Sequence, residues 1–128
     1  MYVEPVYLFS LASQRNEWLS VRQAAIAENI ANANTPGYGA KDVTPFTAVF
    51  DDVAMPMVAT HDGHMGGTAA TSKSVDVKKG ESWQVSYSGN SVSVEQEMVK
   101  ATEVNEIHAL TTNILKSFHR MMLTSVKG

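Results

Sequence analysis

His61-Asp62-Gly63-His64-Met65 is the one stretch of this chain with the residue types of a metal site. Two imidazoles and a carboxylate could ligate zinc, but catalytic zinc is held by three protein ligands on a rigid frame with an ordered outer shell. These residues stand among Gly63, Gly66 and Gly67, in a Gly-, Thr-, Ala- and Ser-rich run from Ala59 to Ser74. Such a run buries too little surface to offset its ordering entropy, so the reading is a mobile loop with no metal or other cofactor. His108 and His119 fall on a helical pattern and read as packing or surface residues. The serines offer no Gly-x-Ser-x-Gly elbow, and the glycines do not sit between a strand and a helix as a phosphate loop requires. Asp51-Asp52 reads as a loop pair, and Glu95 with Glu97 suits a helix N-terminus. Catalysis is not the reading that these residues favour, and no catalytic residue is assigned.

Composition narrows the classes further. The chain has 128 residues, 44% hydrophobic and 18% charged, enough for one domain or an elongated unit with a modest core. A formal net charge of −3 gives no basic excess for nucleic acid or an anionic membrane surface. With no cysteine there are no disulfides and no thiolate chemistry. Met1-Tyr2-Val3-Glu4-Pro5 lacks the cationic and apolar pattern of a secretory signal. No apolar run approaches the ~18 residues of a membrane span, so direct membrane insertion is not expected.

Two long helical patterns must position whatever the chain uses. From Val6 to Ala33, Leu8, Ala12, Leu19, Ile26, Ile30 and Ala33 recur at helical spacings, flanked by Leu11, Trp18 and Ala25. Arg15 and Arg22 intrude near this stripe, either as a solvated or internally paired face or as register-setting intersubunit charges. A second helix is predicted from Ser93, a good N-cap, with Gln96 completing a capping box, to about Ser125. Its seam is Val104, Ile107, Thr111, Ile114, Phe118, Met121 and Ser125, widened by Met98, Ala101, Leu115 and Met122. Between the helices the spacing predicts extended or irregular structure, with one helical turn around Phe46 to Asp51. Val75 and Val77, then Trp83, Val85 and Tyr87, alternate with polar residues and read as two short strands that can pair with each other as a short hairpin, with Lys78 to Glu81 as the turn.

The expected fold is mainly α with a small β part: two long terminal helices in an antiparallel pair or coiled coil around a loop-rich middle. The division is 1–38, 39–90 and 91–128. The apolar seams either close on each other within one chain or are shared between chains.

The first helix stops in Ala27–Tyr38, AENIANANTPGY. Asn29, Asn32 and Asn34 suit a helix C-terminus because asparagine tolerates left-handed backbone, and Pro36 forbids continuation. Gly37 supplies a positive-φ position and Tyr38 an amphipathic anchor. Asn29-Ile30-Ala31-Asn32-x-Asn34-Thr35-x-Gly37-Tyr38 resembles the signature of bacterial flagellar rod, hook and related axial proteins. The short chain, the Thr35-Pro36-Gly37-Tyr38 form and Gly89-Asn90-Ser91-Val92 leading into Glu95-Gln96-Glu97-Met98 resemble its short rod members.

The resemblance implies a structural subunit of the basal-body rod, part of the drive shaft from the membrane ring to the distal rod and hook. It also implies delivery through the flagellar type III export apparatus without a cleaved signal peptide, and a place in the periplasmic rod. The implied partners are further copies, other rod proteins and a rod-to-membrane-ring adaptor protein. The assembly residues would be Leu8, Leu11, Leu19, Ile26, Ile30, Val104, Ile107, Ile114, Leu115, Phe118 and Met122, with Asn29 to Tyr38 fixing the helix exit. The alternatives are a cytoplasmic helical adaptor and, less favoured, a small metal-dependent enzyme using His61 and His64.

Overall fold

The computed structural model of the chain describes residues 5–51 and 75–128. Helix α1 spans Pro5–Ala31, strand β1 Lys41–Val43, the short helix α2 Phe46–Asp51, strand β2 Val77–Lys79, and helix α3 Val94–Lys127. At about 1.5 Å per residue α1 is about 40 Å long and α3 about 50 Å. They run antiparallel: Asn29 meets Glu97 at one end, and the Phe9 and Phe118 rings pack edge-to-face at 5.9 Å at the other.

The helix boundaries follow from local chemistry. Ser93 caps α3, its Oγ accepting from Gln96 N at 3.4 Å, and Glu95 and Glu97 stand in the positively polarised first turn. The predicted capping box is only half made, because the Gln96 amide turns away to Glu81 O and Trp83 N. Helix α1 ends two residues before the predicted Ala33. Asn32 N donates to both Glu28 O and Asn29 O at 3.1 Å, and the chain tightens into successive turns.

The core is small. Trp18, Leu19, Ile26, Val43 and Val104 are buried together, with Val21, Phe46, Val49, Val75, Ala101 and Ile107 packed around them. Trp18 anchors the middle of the chain to α1: its Nε1 donates to Thr44 O at 2.7 Å and its ring meets Phe46 edge-on. Buried apolar surface therefore gathers where β1 and α2 cross the helix pair, not along the whole length of the helices.

The strand pairing corrects the sequence reading. β2 pairs antiparallel with β1, in the register Lys41↔Lys79, Asp42↔Lys78 and Val43↔Val77. Residues 83–87 form no strand. Their backbone is taken up instead by Gln96 and by the turn in which Ser86 N donates to Asn90 O. The turn of helix around Phe46 to Asp51 is present as α2. The His61–Met65 cluster, and the whole Ala59 to Ser74 run, lie outside the described residues.

Candidate assembly site at the helix exit

The motif folds onto the approach to α3. Asn90 Nδ2 donates to Asn32 O at 2.8 Å and to Thr35 O at 2.7 Å, two carbonyls of the turns that follow α1, which also accept from Thr35 N and Tyr38 N. Gly37 N donates to Ser88 O, and Ser91 N to Tyr38 O, both at 3.0 Å. Ala40 N donates to Ser91 Oγ at 2.8 Å. The two sequence features that carried the family resemblance are thus one structure, each satisfying the other's backbone.

Gly37 has φ +74°, a conformation that L side chains rarely adopt, which is why glycine stands between Pro36 and Tyr38. Among the described residues no non-glycine has positive φ, so the asparagines do not serve as left-handed caps as the sequence suggested. Asn32 acts through its side chain, Nδ2 donating to Glu28 O at 2.9 Å and Oδ1 accepting from Thr35 Oγ1 at 3.1 Å. Asn34, Thr35 and Pro36 are exposed.

Asn29 does something different. It is completely buried, and its amide is used on both sides. Nδ2 donates to Lys41 O (2.7 Å) and Glu97 Oε2 (3.0 Å), while Oδ1 accepts from Lys41 N (2.9 Å) and Tyr38 Oη (3.4 Å). Two acceptors face one end and two donors the other, which fixes the amide orientation. One side chain ties α1, β1 and α3 together.

Glu97 is 1% exposed, and its second oxygen accepts from Lys100 Nζ at 3.1 Å. Lys100 also reaches Asp42 Oδ2 at 3.2 Å, and Arg22 links Asp42 (3.6 Å) to Glu103 (3.2 Å) while lying over the Trp18 ring. Signs alternate along this chain of five charges, so every desolvated ion has a counter-ion, the condition under which buried charge is tolerated. Arg22 is thereby committed inside its own chain. The Arg15 guanidinium lies 5.1 Å from the centre of the Phe46 ring.

At the surface beside this junction, Lys41 Nζ is 2.6 Å from Glu28 Oε1. That hydrogen bond holds the Glu28 carboxyl below its ordinary pKa and the Lys41 ammonium above its own. Desolvation, followed by the nearby Glu28 charge, pushes the Tyr38 phenol up.

The predicted seam residues divide into three groups. Leu19, Ile26 and Val104 are buried within the chain; Leu8, Leu11, Ile107, Leu115 and Phe118 are half-buried; Ile30, Ile114 and Met122 are exposed. Leu8, Leu11, Phe46, Leu110, Ile114 and Leu115 line an open apolar groove of about 270 Å³ between the helices. The sequence alone does not mark Asp42, Asn90, Glu97 and Lys100 as site residues. The available signal is spacing: Asn29 lies three residues after Ile26, and Glu97 lies four before Ala101 and seven before Val104, on the faces that carry the apolar seams.

A family model described as flagella basal body rod protein matches residues 11–38, covering much of α1 and the whole exit motif. A flagellar basal body rod protein FlgB of Agrobacterium fabrum is 43% identical over 130 residues, covering 98% of this chain and 96% of that protein. The chain belongs to the flagellar basal body rod proteins. A second protein of the same name, from Salmonella typhimurium, is 27% identical over 117 residues, 84% of this chain and 83% of its own. At this junction Asn29 bonds Glu97 and Asn90 bonds the residues after α1, so the end of one long helix is tied to the start of the other. Membership of this family places the chain in the flagellar basal body as a structural component that assembles with other rod components. Among the described residues, no helix is long and apolar enough to cross a membrane.

Proposed function

We propose that this rod subunit polymerises through the outer faces of its terminal helices, forming part of the proximal drive shaft between the membrane ring and the distal rod and hook. The observation that carries the reading is the uncovered apolar surface of α3. Leu110, Ile114, Met121, Leu123 and Val126 are all exposed, and every residue from His119 onward lies open. So much apolar surface on one helix is a contact surface waiting for partners. Segments 1–38 and 91–128 would carry assembly, and 39–90 would lie outside them. In this reading Ile30, Ile114 and Met122 meet neighbours directly, Leu8, Leu11 and Leu115 wall the groove that a neighbouring helix enters, and Leu19, Ile26, Val104, Ile107 and Phe118, the last packed on Phe9, hold the pair that presents them. Asn29 to Tyr38 keep the exit angle constant.

The neighbours would be further copies, other rod proteins and the adaptor protein that joins rod to membrane ring. Delivery to the periplasm would be through the flagellar type III export apparatus, without cleavage of a signal peptide. The test is the double substitution Met121→Asp with Leu123→Asp. Both residues are exposed, so the free protein should melt at an unchanged temperature while basal bodies lack the rod and cells lose motility. Normal motility would sink the proposal.

A further inference from the structure

The segment from Ser82 to Ser88 has no strand partner, yet it is fastened at both ends. Gln96, buried in the first turn of α3, accepts from Trp83 N at 3.2 Å and donates to Glu81 O at 2.9 Å. At the far end Ser86 N donates to Asn90 O at 2.8 Å, and Ser88 O accepts from Gly37 N in the exit motif. Between these anchors Trp83, Val85 and Tyr87 are 65%, 68% and 110% exposed. Two aromatics and a valine at alternate positions are therefore left uncovered by their own chain. Trp and Tyr are the side chains that dominate interface energetics, and a backbone already held loses less entropy on binding.

Exposed carboxylates flank the strip, Glu81 just before it and Glu95 in the first turn of α3. The nearest lysines in sequence, Lys78 and Lys79, belong to β2, where they stand across from Asp42 and Lys41. The opposite end of α3 has the complementary character. Met121, Met122, Leu123 and Val126 are exposed there among His119, Arg120 and Lys127. From Gln96 to Met121 the helical rise is about 40 Å, so the two patches lie at opposite ends of the molecule.

We infer that the Trp83–Val85–Tyr87 strip is the docking surface for the C-terminal helix end of an adjoining rod subunit. That helix end has the chemistry of this chain's own α3 end: methionine and leucine against the rings, arginine or lysine against Glu81 and Glu95. Thioethers pack favourably against aromatic edges and adapt to irregular surfaces. Two different patches at opposite ends make a heterologous contact, which propagates in one direction and suits a filament better than a closed pair. The inference rests on the reading of the chain as a rod subunit.

The experiment places a photoactivatable benzoylphenylalanine at position 87 of the full chain, irradiates cells, isolates basal bodies and identifies the cross-linked peptide by mass spectrometry. The expected partner is the last two turns of a rod subunit's C-terminal helix. A cross-link only to another segment, or none, overturns the inference. In parallel, the full chain with Trp83→Ser and Tyr87→Ser should keep its melting temperature while its incorporation into basal bodies falls at least about tenfold, as expected for loss of two interface anchors. Unchanged incorporation also overturns it. Absence of the unsubstituted chain from basal bodies would refute the rod reading itself, whereas presence with a cross-link elsewhere refutes only the docking site.

Discussion

Asn29 Nδ2 lies 3.0 Å from Glu97 Oε2, joining the end of α1 to the start of α3 across 68 residues of sequence. The bond lies beside the small apolar core, so the alignment of the two helices is set by a polar contact as well as by packing. A slip of either helix would leave a buried carboxylate and a buried amide without partners.

Replacing Asn29 with Ala removes four hydrogen bonds at once and leaves Glu97 with Lys100 alone and the Lys41 peptide groups without their side-chain partner. The expected loss is about 3 kcal/mol, in the range for leaving buried polar groups unsatisfied. Equilibrium urea unfolding of the full chain measures it. An unchanged midpoint and slope would mean that the amide is not part of the folded core in solution.

Lys100 bridges Glu97 and Asp42, so its removal leaves two carboxylates short of a cation. Lys100→Met and Glu97→Leu should each destabilise by about 2 kcal/mol or more. The double variant should cost less than the sum by at least about 1 kcal/mol, since the second change removes the charge that the first exposes. Strict additivity in the double-mutant cycle would show that the pair does not interact.

The exposed Glu28–Lys41 pair makes a pH prediction. Glu28 titrates below its ordinary 4.5, so its contribution is present above that value and is lost as pH falls through the lowered one. Lys41 is raised above 10.5, so its contribution is complete below 10.5 and disappears as pH rises through the higher value. Carbon-detected NMR titration should find the Glu28 carboxyl depressed, and Lys41→Met should return it towards 4.5. A Glu28 titration that ignores the Lys41 substitution would dissolve the pair.

Much of this arrangement is legible from residue types. Leu19 and Ile26 on one helix and Val104 and Ile107 on the other mark the faces that meet, and Ser93 marks where α3 begins. β1 and β2 are three residues each, too short to carry a periodicity, so the alternation at Trp83, Val85 and Tyr87 outweighs them and points to the wrong pairing. The inward role of Asn29 is hidden from the sequence for a physical reason. Asparagine at a helix end ordinarily serves the local backbone, and only the partner helix reveals that this one faces inward. Glu97 likewise suits a helix N-terminus by charge alone, and its burial depends on Lys100 and Asn29 arriving from two sides.

The uncovered end of α3 predicts a gradient of protection. Amide exchange in the free chain should be slowest around Val104 and Ile26, which share the core, and fastest from Met121 to Lys127. In isolated basal bodies the last two turns should become protected. Equal protection along α3 in the free chain would mean that its outer face is not where assembly adds order.

The contacts that close the helix exit join residues far apart in the chain: Asn90 lies 58 positions from Asn32 and 55 from Thr35, and Glu97 lies further still from Asn29. Helix α1 can wind up from local interactions, but its exit has no partner until the chain has doubled back on itself. Folding speed therefore depends on that long-range encounter more than on helix formation. Because the entropy of closing a loop grows only logarithmically, doubling the separation would add only about 0.6 kcal/mol. The middle of the chain is thus free to change in length between relatives while the same two ends still find each other.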